Sequence, residues 1–322
     1  MVKGEYRGDN TVEIRINLKR TRQVVNNLLE MMYNEFPPFD KPGRFPDAVV
    51  PSGVLEGSLE HRLLQFYGCG LDSMTRADGV YPSIAAIARE IDLKTLHQMS
   101  EVELIKRIRK HIPNLEMGRP VETLLQNSKK LQEEYNGDPG NILVGTSDSQ
   151  IQQTLRKIGE FRQFDEEGYG KCTLLMKNYA RFGIWSLSAS RIPIKADRHV
   201  IRIAIGTRMV EYYREEKRAE DKTVFGVRAE KLGKLITDAV LQVTKEDNLS
   251  AIDLDDAFWL LGSRLCSYNS IPTCRNFCKV ECIYRPISDN TATIFRPGTD
   301  KRLHYSKKPQ SVSKGQTIFE FD

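Results

Sequence analysis

Four cysteines, Cys266, Cys274, Cys278 and Cys282, fall within 17 residues towards the end of a 322-residue chain. Four thiolates on one short loop can surround a tetrahedral metal ion or a cubane cluster. Seven, three and three residues separate them. Zinc ribbons use paired C-x2-C knuckles, and none occurs here, which favours a [4Fe–4S] cluster and keeps zinc as the alternative. Arg275, Asn276, Lys279 and Glu281 make the intervening sequence too polar for four thiols packed in a core. Cys69 and Cys172 stand alone.

A second motif is Gly168-Tyr169-Gly170-Lys171. Two glycines one residue apart, before a helix, suit a tight turn whose backbone amides point at a phosphate. The bland alternative is a flexible surface loop, and Asp165, Glu166 and Glu167 just before it oppose anion binding. A third is Lys195-Ala196-Asp197-Arg198-His199-Val200. An aspartate before an apolar helix is commonly an N-cap, and a capping carboxylate can still face a cleft. Arg191, Lys195, Arg198 and Arg202 are candidates for a phosphate-contacting face, with surface solvation as the alternative, and His199 reads as a packed or phosphate-contacting residue rather than a catalytic acid. Tyr169 and Trp185 can stack on a base or pack in the core.

These motifs need elements to carry them. Hydrophobic residues make up 40% and charged residues 28%, as in ordinary globular proteins. The net charge of +5 permits a phosphate-binding face without requiring one. Apolar runs such as Ile201–Ile205 are too short to cross a bilayer, and the start Met1-Val2-Lys3-Gly4-Glu5 lacks the apolar core of a signal peptide. The expectation is therefore an intracellular protein, cytoplasmic, nucleoid or nuclear. In that setting clustered cysteines hold metal rather than disulfides.

Helical spacing runs over Thr21–Tyr33, then prolines at 37, 38, 42, 46 and 51 break regular structure. From Ser58 to Glu134 the chain reads as helical, with Pro82 at the start of a helix over Ser83–Ile91 and a capping box at Ser100–Glu103. A helix over Val121–Leu131 stops at Asn136-Gly137-Asp138-Pro139. Further helices are expected around Ile151–Ile158, Thr173–Arg181, Val200–Ile205, Ala229–Val243 and Asp253–Leu265. Glu211–Lys222 reads as a charged helix end or loop. No run of alternating strands stands out, so the fold class is mainly α. The expected organisation is an N-terminal arm (1–55), a helical core (56–210), a helical cluster domain (211–285) and a polar, basic tail (286–322).

The order of helices, glycine hairpin, aspartate and four-cysteine loop resembles the helix-hairpin-helix (HhH-GPD) DNA glycosylases, and among them the endonuclease III-like members with an iron–sulfur loop. Lys195–Arg202 is similar to the family's Asp-x-His-Val/Ile-x-Arg segment, and Trp259–Cys266 to its helix entering the cluster. The resemblance spans about Ser58 to Tyr284. It implies a two-lobed helical fold with a C-terminal [4Fe–4S] loop held by Cys266, Cys274, Cys278 and Cys282. It implies Asp197 as catalytic carboxylate and Gly168 and Gly170 as the hairpin turn. Lys171, Lys195, Arg198, His199 and Arg202 would touch DNA, with Lys171 a phosphate ligand or, alternatively, a nucleophile giving AP-lyase activity. The implied partner is double-stranded DNA carrying a damaged or modified base, bound by a monomer. The implied activity is base excision. Two rival readings are a base-modifying transferase on the same scaffold and a non-catalytic, metal-stapled DNA-binding protein. The chain departs from the family pattern in several places. The hairpin has no proline, Cys172 stands where bifunctional members carry lysine, and the cysteine spacing differs from the usual six, two and five.

Overall fold

The computed structural model describes residues 6–7, 12–36, 39, 46–71, 77–111, 119–164, 170–214, 217–218, 229–265, 294–297 and 303–306. Along the chain come β1 (Tyr6–Arg7), β2 (Val12–Ile16), α1 (Leu18–Tyr33), α2 (Leu59–Leu71), α3 (Ala77–Ala88), α4 (Glu101–His111), α5 (Arg119–Tyr135), α6 (Asp148–Gly159) and α7 (Gly170–Arg181). They are followed by α8 (Arg198–Gly206), β3 (Val210–Arg214), β4 (Lys217–Arg218), α9 (Ala229–Glu246), α10 (Ala251–Leu260), β5 (Ile294–Pro297) and β6 (Leu303–Ser306). The architecture is mainly helical. The chain divides into two compact units. Unit 1 takes residues 1–42 together with 193–322, and unit 2 takes residues 43–192.

In unit 1, Asn17 caps α1 by accepting from the Arg20 amide at 2.9 Å. Val24, Val25, Leu28 and Met31 form its buried stripe, which packs on α9 and α10. A four-stranded antiparallel sheet, ordered β1-β2-β3-β4, pairs Ile14 with Tyr212 and Ile16 with Val210. Residues 211–214 are thus strand, where a loop or helix end was expected. The period-two signal Val12-Glu13-Ile14-Arg15-Ile16 was present in the sequence. A second hairpin, β5–β6, lies within the expected tail.

In unit 2, α2 packs against α3 and α7, and α4 against α3 and α5. Ile151, Leu155 and Ile158 are buried on α6, which opens with a full capping box between Ser147 and Gln150. The box expected at Ser100 forms only by half: Ser100 Oγ accepts from the Glu103 amide at 3.2 Å, while the Glu103 carboxylate pairs with Arg107 at 2.8 Å. α5 stops as expected, with Asn136 and Gly137 both at positive φ (56° and 72°) and the Gly137 amide bonded to Leu131 O. Pro82 lies inside α3, not at its start. The carbonyl it deprives belongs to Asp78, in the first turn, where a missing bond is tolerated more readily than at mid-helix.

Candidate active site

Asp197 is the N-cap of α8, with φ −81° and ψ −174°. Its Oδ1 accepts from the amides of His199 at 2.7 Å and Val200 at 3.1 Å. These satisfy two donors that the first helical turn leaves open. Oδ2 has no hydrogen bond among the described residues, and the residue is half-buried.

The loop leading to Asp197 is held by two helices of unit 1. The Lys195 amide donates to Asp255 Oδ1 of α10 at 2.9 Å, and Thr237 Oγ1 of α9 donates to Ile194 O at 3.3 Å. At Gly233 of α9 a Cβ would stand 3.1 Å from Ala196 O, so only glycine fits there without crowding the loop. Sequence reading missed Asp255 and Gly233. Both lie on helices whose periodicity announces packing and nothing else.

Behind Asp197, α8 runs against the π-helical turn Leu261–Leu265 that leads to Cys266. Gly262 approaches so closely that a Cβ there would lie 2.4 Å from His199 Cβ. Arg202 is 3% exposed and donates to Gly262 O. Its Nη2 also lies 3.2 Å from His199 Nδ1. Because a guanidinium only donates, that ring nitrogen accepts, which places the imidazole proton on Nε2. Arg202 therefore braces α8 from inside the unit. His199 and Lys195 are half-buried. The Arg198 side chain lies outside the described residues.

In unit 2 the hairpin residues 165–169, Gly168 and Tyr169 among them, lie outside the described residues, and Gly170 opens α7. Lys171 is 7% exposed. Its Nζ donates to Gly70 O at 3.2 Å and to Gln163 O at 3.0 Å. The ammonium thus joins the end of α2 to the Phe161–Phe164 turn. Cys172 is fully buried, with Sγ 3.7 Å from Phe164 O. Trp185 is packed edge-on to Tyr179, its ring nitrogen donating to Gly140 O at 2.9 Å. Arg191 is exposed, 3.7 Å from Asp148.

A buried polar network joins α2 to α7. Asn178 Nδ2 donates to Gln65 Oε1 at 3.0 Å, and Gln65 Nε2 to Asp47 O at 3.0 Å. Cys69 Sγ lies 3.4 Å from Tyr81 OH. Asp47 forms ion pairs with Lys177 at 3.5 Å and Arg181 at 3.7 Å. Burial pushes the Asp47 carboxyl up, but the two cations outweigh it and hold the group below the ordinary carboxylate range.

Cys266, Cys274, Cys278 and Cys282 lie outside the described residues. Among the described residues no group of three or more His, Cys, Asp or Glu side chains is arranged to hold a metal ion. Nor is any helix among them long and apolar enough to cross a membrane.

The described architecture is thus a mainly helical chain in which a capping aspartate opens one helix of a discontinuous unit. This chain shares its fold with the solved structure of a thermostable thymine-DNA glycosylase. The TM-score is 0.51 and the sequence identity 12%, with 83% of this chain and 97% of the other covered. No family model matches the chain, and no curated protein matches it.

Proposed function

We propose that the protein is a DNA glycosylase that removes a damaged or modified base from duplex DNA by hydrolysing its N-glycosidic bond. The observation that carries this reading is Asp197, fixed through one oxygen and, among the described residues, without a hydrogen bond at the other. Its setting supports it: a helical fold like that of the solved thymine-DNA glycosylase, and an Asp-x-His-Val-x-Arg segment like that of helix-hairpin-helix enzymes.

A stacked base cannot be reached, so the target nucleotide is flipped out of the duplex. As the glycosidic bond breaks, its electron pair leaves with the base and positive charge grows on the sugar. The Asp197 carboxylate stabilises that charge. Water then bonds to C1′, and its surplus proton goes to the departing base. The Gly168–Lys171 hairpin is assigned to the phosphate backbone through its amides. Lys171 has its amine committed to two carbonyl oxygens, so strand cleavage through a Schiff base at Lys171 forms no part of the reaction proposed. Arg198, His199 and Lys195, at the start of α8, are assigned to DNA contacts.

The four-cysteine segment is proposed to hold a [4Fe–4S] cluster, with zinc as the alternative. Bound there, a cluster would fold the 266–282 loop by ligation, and no chemical step depends on it. The proposal is tested with a panel of duplexes, each carrying one damaged base, by measuring free base released by the wild type and by Asp197→Asn. Base release that disappears in the variant supports the reading. Lesion-independent binding with no base released by either protein overturns it and favours a metal-stapled DNA-binding protein.

A further inference from the structure

Five of the six residues from 106 to 111 are Lys, Arg or His, and the exception, Ile108, is buried. Leu104 and Ile108 hold the inner face of α4 against unit 2. The outer face carries the charge. Lys106, Arg109 and Lys110 are exposed. Glu90, at the end of α3, gathers Lys110, Arg107 at 3.1 Å and His111 Nε2 at 3.0 Å. Hydrogen bonds from Lys110, Arg107 and His111 push its carboxyl down to about 2, so it stays ionised. Glu103 takes Arg107 as well. Lys106, Arg107, Arg109 and Lys110 are thus set against Glu90, Glu101 and Glu103, four cations against three carboxylates. Lys106 and Arg109 form no ion pair among the described residues.

Complementing the helix dipole explains one or two cations in the last turn of α4, not a concentration of this size. From Lys106 to Lys110 the helix rises about 6 Å, a length over which one DNA strand presents roughly two phosphates. Lysine and arginine tips on such a face follow a phosphate row without reading bases.

We propose that the exposed face of α4 in unit 2, through Lys106, Arg109 and Lys110, binds the phosphate backbone of duplex DNA. This rests on the reading of the protein as a DNA enzyme, but its test is independent of catalysis.

The test measures binding of the full chain to a labelled, undamaged duplex over a range of salt concentrations. Removing these cations in Lys106→Gln/Arg109→Gln/Lys110→Gln should lower the slope of log affinity against log salt by about 2 and weaken binding about tenfold or more at low salt. If the triple variant fails to fold, Lys106→Gln and Arg109→Gln singly should each lower the slope by about 0.9, and Lys106→Arg should retain it. Wild-type slope and affinity in every Gln variant overturn the inference while leaving the glycosylase reading intact. Absence of duplex binding by the wild type at any salt overturns both. Binding to anionic phospholipid vesicles that depends on Lys106 and Arg109, with the duplex slope unchanged, also overturns it.

Discussion

Asp197 does two things that one pair of substitutions separates. As an N-cap it accepts two amides through Oδ1. As an anion it is proposed to stabilise a cationic transition state. Asn keeps the carbonyl oxygen and ranks with Asp as a cap. It forfeits only the charge at the helix N-terminus, about 0.3–1 kcal/mol, a fall in melting midpoint of about 1–4 °C. Ala forfeits the cap as well, about 0.5–2 kcal/mol on a helix only nine residues long. Catalysis follows a different ranking. Removing one preorganised charge-stabilising group from an active site costs roughly 10²–10³ in rate, or about 2.7–4 kcal/mol. Both variants should therefore lose base excision to a similar degree, while Ala melts lower than Asn. The assay pairs single-turnover excision on the best duplex of the panel with thermal unfolding of the same preparations. Excision by Asp197→Asn at the wild-type rate refutes the carboxylate's role. Equal melting of the Ala variant and the wild type refutes the cap.

Three more outcomes are expected. Lys171→Met leaves the carbonyls of Gly70 and Gln163 without their shared donor, and each buried group so orphaned costs about 1–3 kcal/mol. Unfolding should register that loss, and borohydride should trap no Lys171-dependent adduct with DNA; a trapped adduct would reverse the assignment. Asp47→Asn sets the buried Lys177 and Arg181 beside a neutral amide and should cost about 3–5 kcal/mol. The Asp47 pKa is depressed in the folded chain, so its contribution is complete above the ordinary value of 3.8 and disappears as pH falls through the lower folded value. Acid unfolding of wild type and variant should therefore begin to converge as pH falls below about 4 and meet only at lower pH, and a constant gap down to the lowest pH would contradict the ion pair. Anaerobically purified protein should contain about four irons per chain and absorb visible light as a cubane does. One zinc per chain and no colour would select the alternative metal.

What the sequence disclosed depended on whether the signal was local. The Asp197 cap, the Asn136-Gly137 stop and the stripes of α1, α5 and α6 are written within a few residues of one another, and each formed. The β2–β3 pairing joins Ile16 to Val210, 194 residues apart. Val12–Ile16 alternated correctly, but nothing nearby offered it a partner. Lys171 and Arg202 were expected to touch DNA, and both side chains are buried instead. α7 is buried on every side from Lys171 to Tyr179, and a helix without an exposed face gives no periodicity from which to read a direction. Its polar side chains had to find partners inside the unit, and those partners, two backbone carbonyls for Lys171, Gln65 for Asn178 and Asp47 for Lys177, leave no local mark in a sequence. Asp255 and Gly233, which hold the loop before Asp197, were hidden for the same reason.

The order of segments in the two units has a consequence for how the protein is made. Unit 1 is interrupted by the 150 residues of unit 2. Closing an unstructured span of that length costs roughly 4 kcal/mol of chain entropy, a cost that shrinks once the span has condensed. Synthesis proceeds from the N-terminus, so residues 43–192 leave the ribosome whole while α1 still lacks α9 and α10 and β2 still lacks β3. Until then the stripe of Val24, Val25, Leu28 and Met31 has nothing to cover it. A helix made before all of unit 2 is among the last to be buried, and that interval is when the nascent chain is most exposed to aggregation and to chaperones.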